Sequence, residues 1–316
     1  MTDVRAVVVD PSHADRLALK PVALAPANRD EVTVRVTTIS LNRGEVNRAV
    51  RQAEAGWRPG WDFVGTIEEA APEGGGPAVG TRVVGMLPSG AWAERIRAPK
   101  DAVAALPGGV SDAAAATLPV AGLTALHALR KGGLLLGRKV LIDGASGGVG
   151  HLACQLAVAS GAQVYGHVRN PAFQPMVAAW CGERTIVAPA LSAAAPHGPF
   201  DLILDSVGGS TLAAALTMLR PDGTCVTFGV SEGQQSTFES GTFFRTGGAR
   251  LYGLILFYEL RRVEPASEGL AVLGSLVASG VLKPQVEIEA PWTEIGAVAR
   301  QLLDRSFMGK AVLHVR

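Results

Sequence analysis

The stretch LIDGASGGVG, residues 141–150, decides the fold class of this 316-residue chain. The glycine cluster ends an apolar run, KVLID, and opens a segment with apolar residues at helical spacing, Val149, Leu152, Ala153, Leu156 and Ala157. Strand, glycine turn and helix in this order predict the phosphate-binding turn of a dinucleotide-binding βαβ unit; a bare tight turn is the alternative.

The spacing within the turn is A-x-G-x-x-G, formed by Ala145, Gly147 and Gly150. Gly147 lets the backbone approach a pyrophosphate, and Gly150 lets the helix pack closely on the strand. The free amides at the start of the helix bind negative charge. The turn therefore predicts a dinucleotide cofactor.

Which dinucleotide binds is decided about 20 residues further on, where an acidic side chain would bind a ribose 2′-hydroxyl. The sequence GAQVYGHVRN has no Asp or Glu there, and Arg169 offers a cation to a 2′-phosphate, with His167 and Asn170 as helpers. NADPH is therefore favoured over NADH. The alternative for Arg169 is a solvated surface charge.

Composition indicates a globular protein of two domains, with 48% hydrophobic and 18% charged residues. Lysine and arginine number 29 against 28 acidic residues, so the net charge favours neither nucleic acid nor an anionic membrane, and small molecules are the expected partners. The sequence has no apolar leader and no membrane-length apolar run, which predicts a cytoplasmic protein. Cys154, Cys181 and Cys225 are predicted to be buried thiols without a disulfide.

The chain changes character near residue 117. Before it, short alternating runs such as EVTVRVTTISLN predict a mostly β domain with one wet strand face. After it, strands alternate with helices, which predicts a parallel sheet. Six strands are predicted: KVLID, AQVYGHV, RTIVA, FDLILDS, GTCVTFGV and ARLYGLILF. Beyond residue 260, helices near 263–280 and 293–305 and the strands PQVEIEAPW and KAVLHV predict a return to the first domain.

Several segments together resemble the zinc-independent quinone oxidoreductase (zeta-crystallin-like) family of the medium-chain dehydrogenases/reductases. The resemblance covers almost the whole chain. The segments that carry it are ISLNRGEVNRA, PGWDFVGTI, VGTRVVGM, GAWAERIRAP, AATLPVAGLTALHAL, VLIDGASGGVGHLACQLA, FDLILDSVGG, LRPDGTCVTFG and GKAVLHV.

This resemblance implies an α/β protein with two domains. A GroES-like, mostly β substrate domain is expected over 1–116, completed by 260–316, and a doubly wound Rossmann domain that binds NADPH over 117–259. The resemblance also implies a homodimer formed through the Rossmann domain. For the site, it places Asn42 and Thr124 near the nicotinamide. The other cofactor-binding residues that it implies are Ser146, Gly147, Gly148, Val149, Phe228, Gly229, Val230, Leu254, Ile255 and Lys310.

No metal site is predicted. The zinc-dependent relatives carry a Gly-His-Glu motif where this chain has Gly60, Trp61 and Asp62, and four closely spaced cysteines that this chain lacks. His151 and Cys154 share one helix face, but two ligands without a partner indicate packing. Asp62 is interpreted as a structural residue, since the family pattern has Asp-Phe at this point.

The predicted catalytic residues are Asn42, Arg43 and Thr124. The Asn42 amide is the candidate donor to the carbonyl oxygen of the acceptor, where negative charge develops; a turn residue bonding its own backbone is the alternative. Arg43 either attracts an anionic acceptor or is a surface charge. Trp57, Trp61 and Trp92 either form a flat surface for a ring-shaped acceptor or pack in the core. The first domain has no tyrosine, so solvent is an expected proton source.

Three functions remain open at this point. The first is an NADPH-dependent enzyme that transfers hydride to a quinone or an α,β-unsaturated carbonyl without zinc. The second is a reductase of enoyl thioesters on a carrier protein or coenzyme A. The third is an NADPH-binding protein with a non-redox role, such as a cyclase or a cofactor sensor.

Overall fold

The computed structural model describes residues 3–316, which form two compact units. The first unit contains the described residues up to Leu123 together with Leu260–Arg316, and the second is Thr124–Glu259. The chain passes from one unit to the other within helices α3 (Leu123–Arg130) and α8 (Leu256–Arg262).

The first unit is built on β-sheets. A seven-stranded sheet has the order β14-β15-β3-β4-β5-β7, with β6 paired to β3, and β1 and β2 form a separate antiparallel pair. The strands are β1 Asp3–Val9, β2 Leu17–Ala23, β3 Glu31–Ser40, β4 Asp62–Glu69, β5 Arg82–Met86, β6 Arg95–Pro99, β7 Val103–Ala105, β14 Val286–Pro291 and β15 Lys310–His314. The helices are α1 Arg43–Arg51, α2 Asp112–Ala116, α9 Ala266–Ala278 and α10 Ile295–Leu303.

Strand β3 differs from its prediction in one respect. Arg35 faces solvent as the alternation requires, but Thr33 is buried and Thr37 is half-buried, so the strand has no continuous wet face. Thr33 donates to the Glu69 carboxylate at 2.5 Å and Thr37 donates to Asp112 Oδ2 of α2 at 2.7 Å, so side chains of β4 and α2 cover this face. Strands β4, β6 and β15 all pair with β3. The C-terminal strand β15 thus lies beside the end of β3, from which the chain enters α1.

The second unit is a doubly wound parallel sheet of six strands in the order β10-β9-β8-β11-β12-β13. The strands are β8 Lys139–Asp143, β9 Gln163–Val168, β10 Thr185–Val187, β11 Phe200–Asp205, β12 Leu219–Thr227 and β13 Arg250–Gly253. The helices are α4 Gly148–Ala159, α5 Gln174–Cys181, α6 Gly209–Thr217 and α7 Ser240–Thr246. The fold class predicted from the sequence is confirmed, and the three cysteines are buried free thiols.

The predicted sixth strand is too long. Strand β13 ends at Gly253, and the apolar residues that follow begin helix α8, in which the Glu259 amide donates to the Ile255 carbonyl. Apolar character alone does not distinguish a buried strand from a helix that continues it. Strand β13 lies at the edge of the sheet, and the pairing of two copies through this edge stays a prediction.

Because all six strands are parallel, the segments that follow β8, β9, β11 and β12 emerge at the same edge of the sheet. Most of the predicted cofactor-binding residues of the second unit follow a strand at this edge: Ser146–Val149 after β8, Arg169 after β9, Phe228–Val230 after β12, and Leu254 and Ile255 after β13. His167 lies within β9, and Thr124 lies in α3. No helix in the described part of the chain is both long and apolar enough to cross a bilayer.

Candidate functional site

In the first unit, the carboxylate of Asp62 is buried at the start of β4 and collects donors from four directions. Its Oδ2 accepts from Ser40 Oγ at 2.7 Å and from Asn42 Nδ2 at 2.7 Å. Its Oδ1 accepts from the Val120 amide at 3.0 Å, in a π-helical turn, and Lys310 Nζ lies 3.4 Å from Oδ2. The structural role predicted for Asp62 agrees with these contacts.

Lys310 begins β15 and is only 3% exposed. Its Nζ donates to the Leu41 carbonyl at 2.9 Å and to Asn42 Oδ1 at 2.6 Å. Burial lowers the pKa of Lys310, and the nearby Asp62 and Glu45 carboxyls act in the opposite direction. The ammonium therefore joins the last strand of the chain to the N-terminal end of α1.

The side chain of Asn42 is fixed in orientation by these charges. Its oxygen faces the Lys310 ammonium, while its nitrogen lies 2.7 Å from Asp62 Oδ2 and 2.9 Å from Glu45 Oε1. Both amide hydrogens are thus donated to carboxyl groups, and the residue is 9% exposed. The predicted donation to a substrate carbonyl requires one of these bonds to exchange.

Glu45 is a buried acid that the sequence analysis did not identify. Its Oε1 accepts from the Asn42 backbone amide at 2.9 Å as well as from the side chain, while its Oε2 accepts no hydrogen bond from the described residues. Burial is the main cause that raises the pKa of Glu45, and the Asp62 charge adds to it. The motif N-x-x-E at a helix start was the signal that could have found it, because it is the pattern of a capping pair.

The other residues predicted for the substrate side of the site lie in different surroundings. Arg43 is partly buried, and its Nη1 donates to the Leu302 carbonyl at 3.0 Å. The Trp61 ring packs over Gly44, the second residue after Asn42, where an added Cβ would lie 3.0 Å from the ring. Trp92 is fully buried, and Trp57 packs against the core, so packing describes both. Thr124, which is buried, belongs to the second unit.

In the second unit, the glycine turn after β8 is tightly built. A Cβ on Gly150 would lie 2.2 Å from the Gly144 carbonyl oxygen, so helix α4 approaches the turn as only glycine allows. The Ala145 amide donates to the His167 carbonyl at 3.0 Å. The first amides of α4, from Gly148 to Gly150, precede the first intrahelical bonds and point away from the helix.

His167 lies at the end of β9 but is not placed to help bind a phosphate. It is 1% exposed, with Nδ1 2.7 Å from Asp143 Oδ1 and Nε2 3.0 Å from the Ala188 carbonyl. The Asp143 carboxylate also accepts from the Gly144 amide at 2.9 Å. Asp143 and His167 therefore hold the start of the glycine turn in place. The side chain of Asn170 accepts from the Ala172 amide at 3.0 Å and closes a turn.

Arg169, the residue after β9, is partly exposed and forms an ion pair with Glu232 in the segment after β12. Sequence reasoning identified the arginine but not its partner. The two residues are far apart in the sequence, and no motif links them. The cation predicted to bind a 2′-phosphate is thus held by a carboxylate in this structure.

The segment after β12 carries the other predicted residues. The Phe228 amide donates to the Asp205 carbonyl at 3.0 Å, and an added Cβ on Gly229 would lie 2.7 Å from the Ser206 carbonyl oxygen. Val230 is exposed. After β13, Leu254 is buried and Ile255 is 68% exposed.

The buried carboxylate of Asp205 organises this edge of the sheet. It accepts from the amides of Val207 and Gly208, each at 3.1 Å to Oδ1, and from Thr227 Oγ1 at 2.8 Å to Oδ2. Burial raises the pKa of Asp205 above its ordinary value. Sequence reasoning missed this role, although an acid at the end of an apolar strand, in FDLILD, was a signal for it.

These residues fit a dinucleotide phosphate. Gly150 lets α4 pack on the turn more closely than a Cβ would allow, the first amides of α4 are oriented for an anion, and Arg169 supplies a cation after the neighbouring strand. Within residues 3–316, no group of three or more His, Cys, Asp or Glu side chains is arranged to hold a metal ion.

Two family models match the chain. Residues 28–108 match the alcohol dehydrogenase GroES-like domain, and residues 148–272 match the model described as a zinc-binding dehydrogenase. Members of these families bind NAD(P).

A curated relative and two solved structures resemble the chain over nearly its full length. The mycocerosic acid synthase-like polyketide synthase of Mycobacterium tuberculosis is 28% identical over 325 residues, which cover 99% of this chain; the chain spans 15% of that relative's length. A quinone oxidoreductase from Coxiella burnetii is 25% identical with a TM-score of 0.85, and the CurK enoyl reductase is 22% identical with a TM-score of 0.86. Each of these two structures covers 100% of both chains.

Replacing the buried carboxylate, Asp62→Asn, is expected to lower the free energy of unfolding by about 3 kcal/mol, because Lys310 then keeps a buried charge without a counterion. In a Lys310→Met background the same change should cost at least about 1 kcal/mol less. Urea unfolding of the four proteins of this cycle measures both values. Additive effects would show that the ammonium and the carboxylate do not interact.

Glu45 is expected to make stability depend on pH. The folded state holds the proton up to the raised pKa of Glu45, while the unfolded chain releases it near its ordinary value of about 4.3. Stability therefore falls as the pH rises between these two values, and Glu45→Gln should flatten this slope at pH values above the ordinary glutamate pKa.

The measurement is thermal unfolding at several pH values, with the exposed Glu183→Gln as the matched control. Equal pH slopes for wild type and Glu45→Gln would contradict the assignment of a protonated Glu45. The variant Glu45→Ala should be less stable than both wild type and Glu45→Gln at every pH. In this variant the backbone amide and the side-chain NH₂ group of Asn42 both lose their acceptor on residue 45.

Proposed function

We propose that this chain, which belongs to the medium-chain dehydrogenase/reductase family and is of the quinone oxidoreductase type, uses NADPH to reduce a quinone or an α,β-unsaturated carbonyl compound. The observation that carries the proposal is the glycine turn that opens α4, together with the arginine that stands where NAD-binding proteins carry an acid.

The residues proposed to hold the cofactor lie at one edge of the parallel sheet. The amides of Ser146 to Val149 bind the pyrophosphate, and Arg169 binds the 2′-phosphate. Phe228, Gly229, Val230, Leu254 and Ile255 border the cofactor after β12 and β13. Asn42, Thr124 and Lys310 lie near the nicotinamide in this proposal. The bound cofactor supplies the hydride.

The acceptor develops negative charge on its carbonyl oxygen during hydride transfer, and a fixed donor lowers the barrier. Asn42 remains the proposed donor. Its bond to Glu45 is the one most easily exchanged, since Glu45 Oε1 keeps the hydrogen bond from the Asn42 backbone amide. Lys310 then holds the Asn42 oxygen and keeps the NH₂ group turned toward the acceptor. Arg43 is committed to the Leu302 carbonyl and is proposed to steer anionic acceptors only.

All three tyrosines, Tyr165, Tyr252 and Tyr258, lie in the second unit, so no tyrosine of the first unit can supply the proton. We propose that the proton comes from solvent. A quinone needs the least help of this kind, because its reduced oxyanion is delocalised over the ring.

Reduction of an enoyl thioester is the second candidate. The observation in its favour is that the full length of this chain aligns with part of a polyketide synthase, and that an enoyl reductase shares its fold. The two candidate reactions use the same hydride donor. They differ in the acceptor, whose carbonyl carbon is bonded to sulfur in the enoyl thioester.

The first test is the loss of nicotinamide absorbance with a panel of simple quinones, short enones and enoyl thioesters, each with NADPH and with NADH. Turnover of one class well above background identifies the acceptor class. Tight binding of NADPH with no turnover of any acceptor would refute both candidates and leave a non-redox role of the bound cofactor.

Arg169→Gln is expected to raise the KM for NADPH by about tenfold or more while changing the KM for NADH by less than about twofold, because the 2′-phosphate is the only cofactor group that this charge is proposed to contact. Arg184→Gln, which removes an exposed arginine of the same unit, is the matched control. Steady-state kinetics with the best acceptor measures both constants. A parallel rise for the two cofactors would show that Arg169 does not discriminate between them.

A further inference from the structure

The ion pair between Arg169 and Glu232 joins two segments at the carboxyl edge of the parallel sheet. Arg169 directly follows β9, and Glu232 lies in the segment after β12. Both side chains are partly exposed, so the pair is open to solvent and to a ligand.

Backbone contacts fix the position of Glu232. The Glu232 amide donates to the Val207 carbonyl at 3.0 Å, and Gly208 and Gly233 form a parallel β-bridge. A Cβ on Gly208 would lie 2.5 Å from the Gly233 carbonyl oxygen, so the two segments are in close contact. The segment that carries Glu232 therefore rests on the turn that follows β11.

That turn is itself anchored. The buried Asp205 carboxylate accepts from the amides of Val207 and Gly208 and from the Thr227 hydroxyl. A continuous series of hydrogen bonds thus runs from a buried acid to the backbone of Glu232. A glutamate on a free surface loop would have no such support.

The order of the strands shows what the ion pair crosses. Strand β8 lies between β9 and β11, and neighbouring strands are about 4.8 Å apart. A pair that links the end of β9 to a segment resting on the end of β11 spans about 10 Å over the end of β8. The glycine turn that follows β8 is located there.

We propose that Glu232 is a specificity-determining residue. Its carboxylate competes with the 2′-phosphate of the dinucleotide for Arg169 and so reduces the ratio of the affinity for NADPH to the affinity for NADH. This inference rests on the proposed function, since it requires that a dinucleotide binds at the glycine turn. Glu232 contacts no reacting atom in this proposal and acts through Arg169 and through its own charge.

The charges explain why the effect differs between the two cofactors. A 2′-phosphate is an anion, so it must displace the Glu232 carboxylate from Arg169 and then lie near it. A 2′-hydroxyl is neutral and can donate a hydrogen bond to a carboxylate. The carboxylate therefore opposes NADPH and tolerates or favours NADH.

The test is direct binding of each dinucleotide to the whole chain, measured by isothermal titration calorimetry without an acceptor. Glu232→Gln is expected to lower the Kd for NADPH by about five- to tenfold, while the Kd for NADH stays within about twofold or rises. Glu183→Gln, the removal of an exposed glutamate elsewhere in the same unit, should change neither value.

The double variant Arg169→Gln with Glu232→Gln separates competition for the arginine from a general change of charge. In the Arg169→Gln background, removal of the carboxylate should change the Kd for NADPH by about twofold or less. Circular dichroism of each variant verifies that the fold is retained, and Glu232→Ala provides a second removal of the carboxylate with the same expected shift.

Two results would overturn the inference: an unchanged ratio of the two Kd values, which an equal shift for both cofactors would give, or a full gain that persists without Arg169. Its failure differs from failure of the proposed function. A wild-type chain that binds both dinucleotides but shows one of these results refutes the role of Glu232 alone. A wild-type chain that binds neither dinucleotide refutes the proposed function and this inference together.

Discussion

The first unit depends on one buried charge, the carboxylate of Asp62. A carboxylate removed from water is stable only when donors and a cation surround it, and these donors come from parts of the chain that are distant in sequence. The end of β3, the start of α1, a π-helical turn and the first residue of β15 all meet at this group. The C-terminal strand is therefore required to complete the surroundings of Asn42, which explains why the chain returns to its first unit.

The second unit uses buried acids in a comparable way. Asp143 holds the start of the glycine turn and His167, and Asp205 holds the turn after β11. Each acid ends a parallel strand, so its carboxylate faces the amides of the turn that follows. The edge where a dinucleotide is proposed to bind is thereby fixed before any ligand arrives, which lowers the ordering cost of binding.

The sequence predicted the fold class, the six strands of a parallel sheet and the glycine turn, because these follow from local periodicity and from the conformational demands of glycine. It failed where an apolar run continued from β13 into α8, since both elements are apolar there. It also left open what Asn42 does. The side chain of Asn42 contacts Glu45, which is close in sequence, and Asp62 and Lys310, which only the tertiary structure brings near it. The buried state of His167 was likewise invisible, because a polar residue at a strand end has no pattern that reveals its partner.

The pairing of Arg169 with Glu232 shows why cofactor preference is harder to predict than cofactor binding. The glycine turn is a local feature whose geometry follows from a few adjacent residues. Discrimination between a phosphate and a hydroxyl depends instead on the net field of all charges that reach the same point, including those placed there by other strands. A motif supplies the cation, whereas the topology of the sheet places the carboxylate that is proposed to oppose it. A cofactor preference that is inferred from the arginine alone therefore leaves out the charge of the carboxylate.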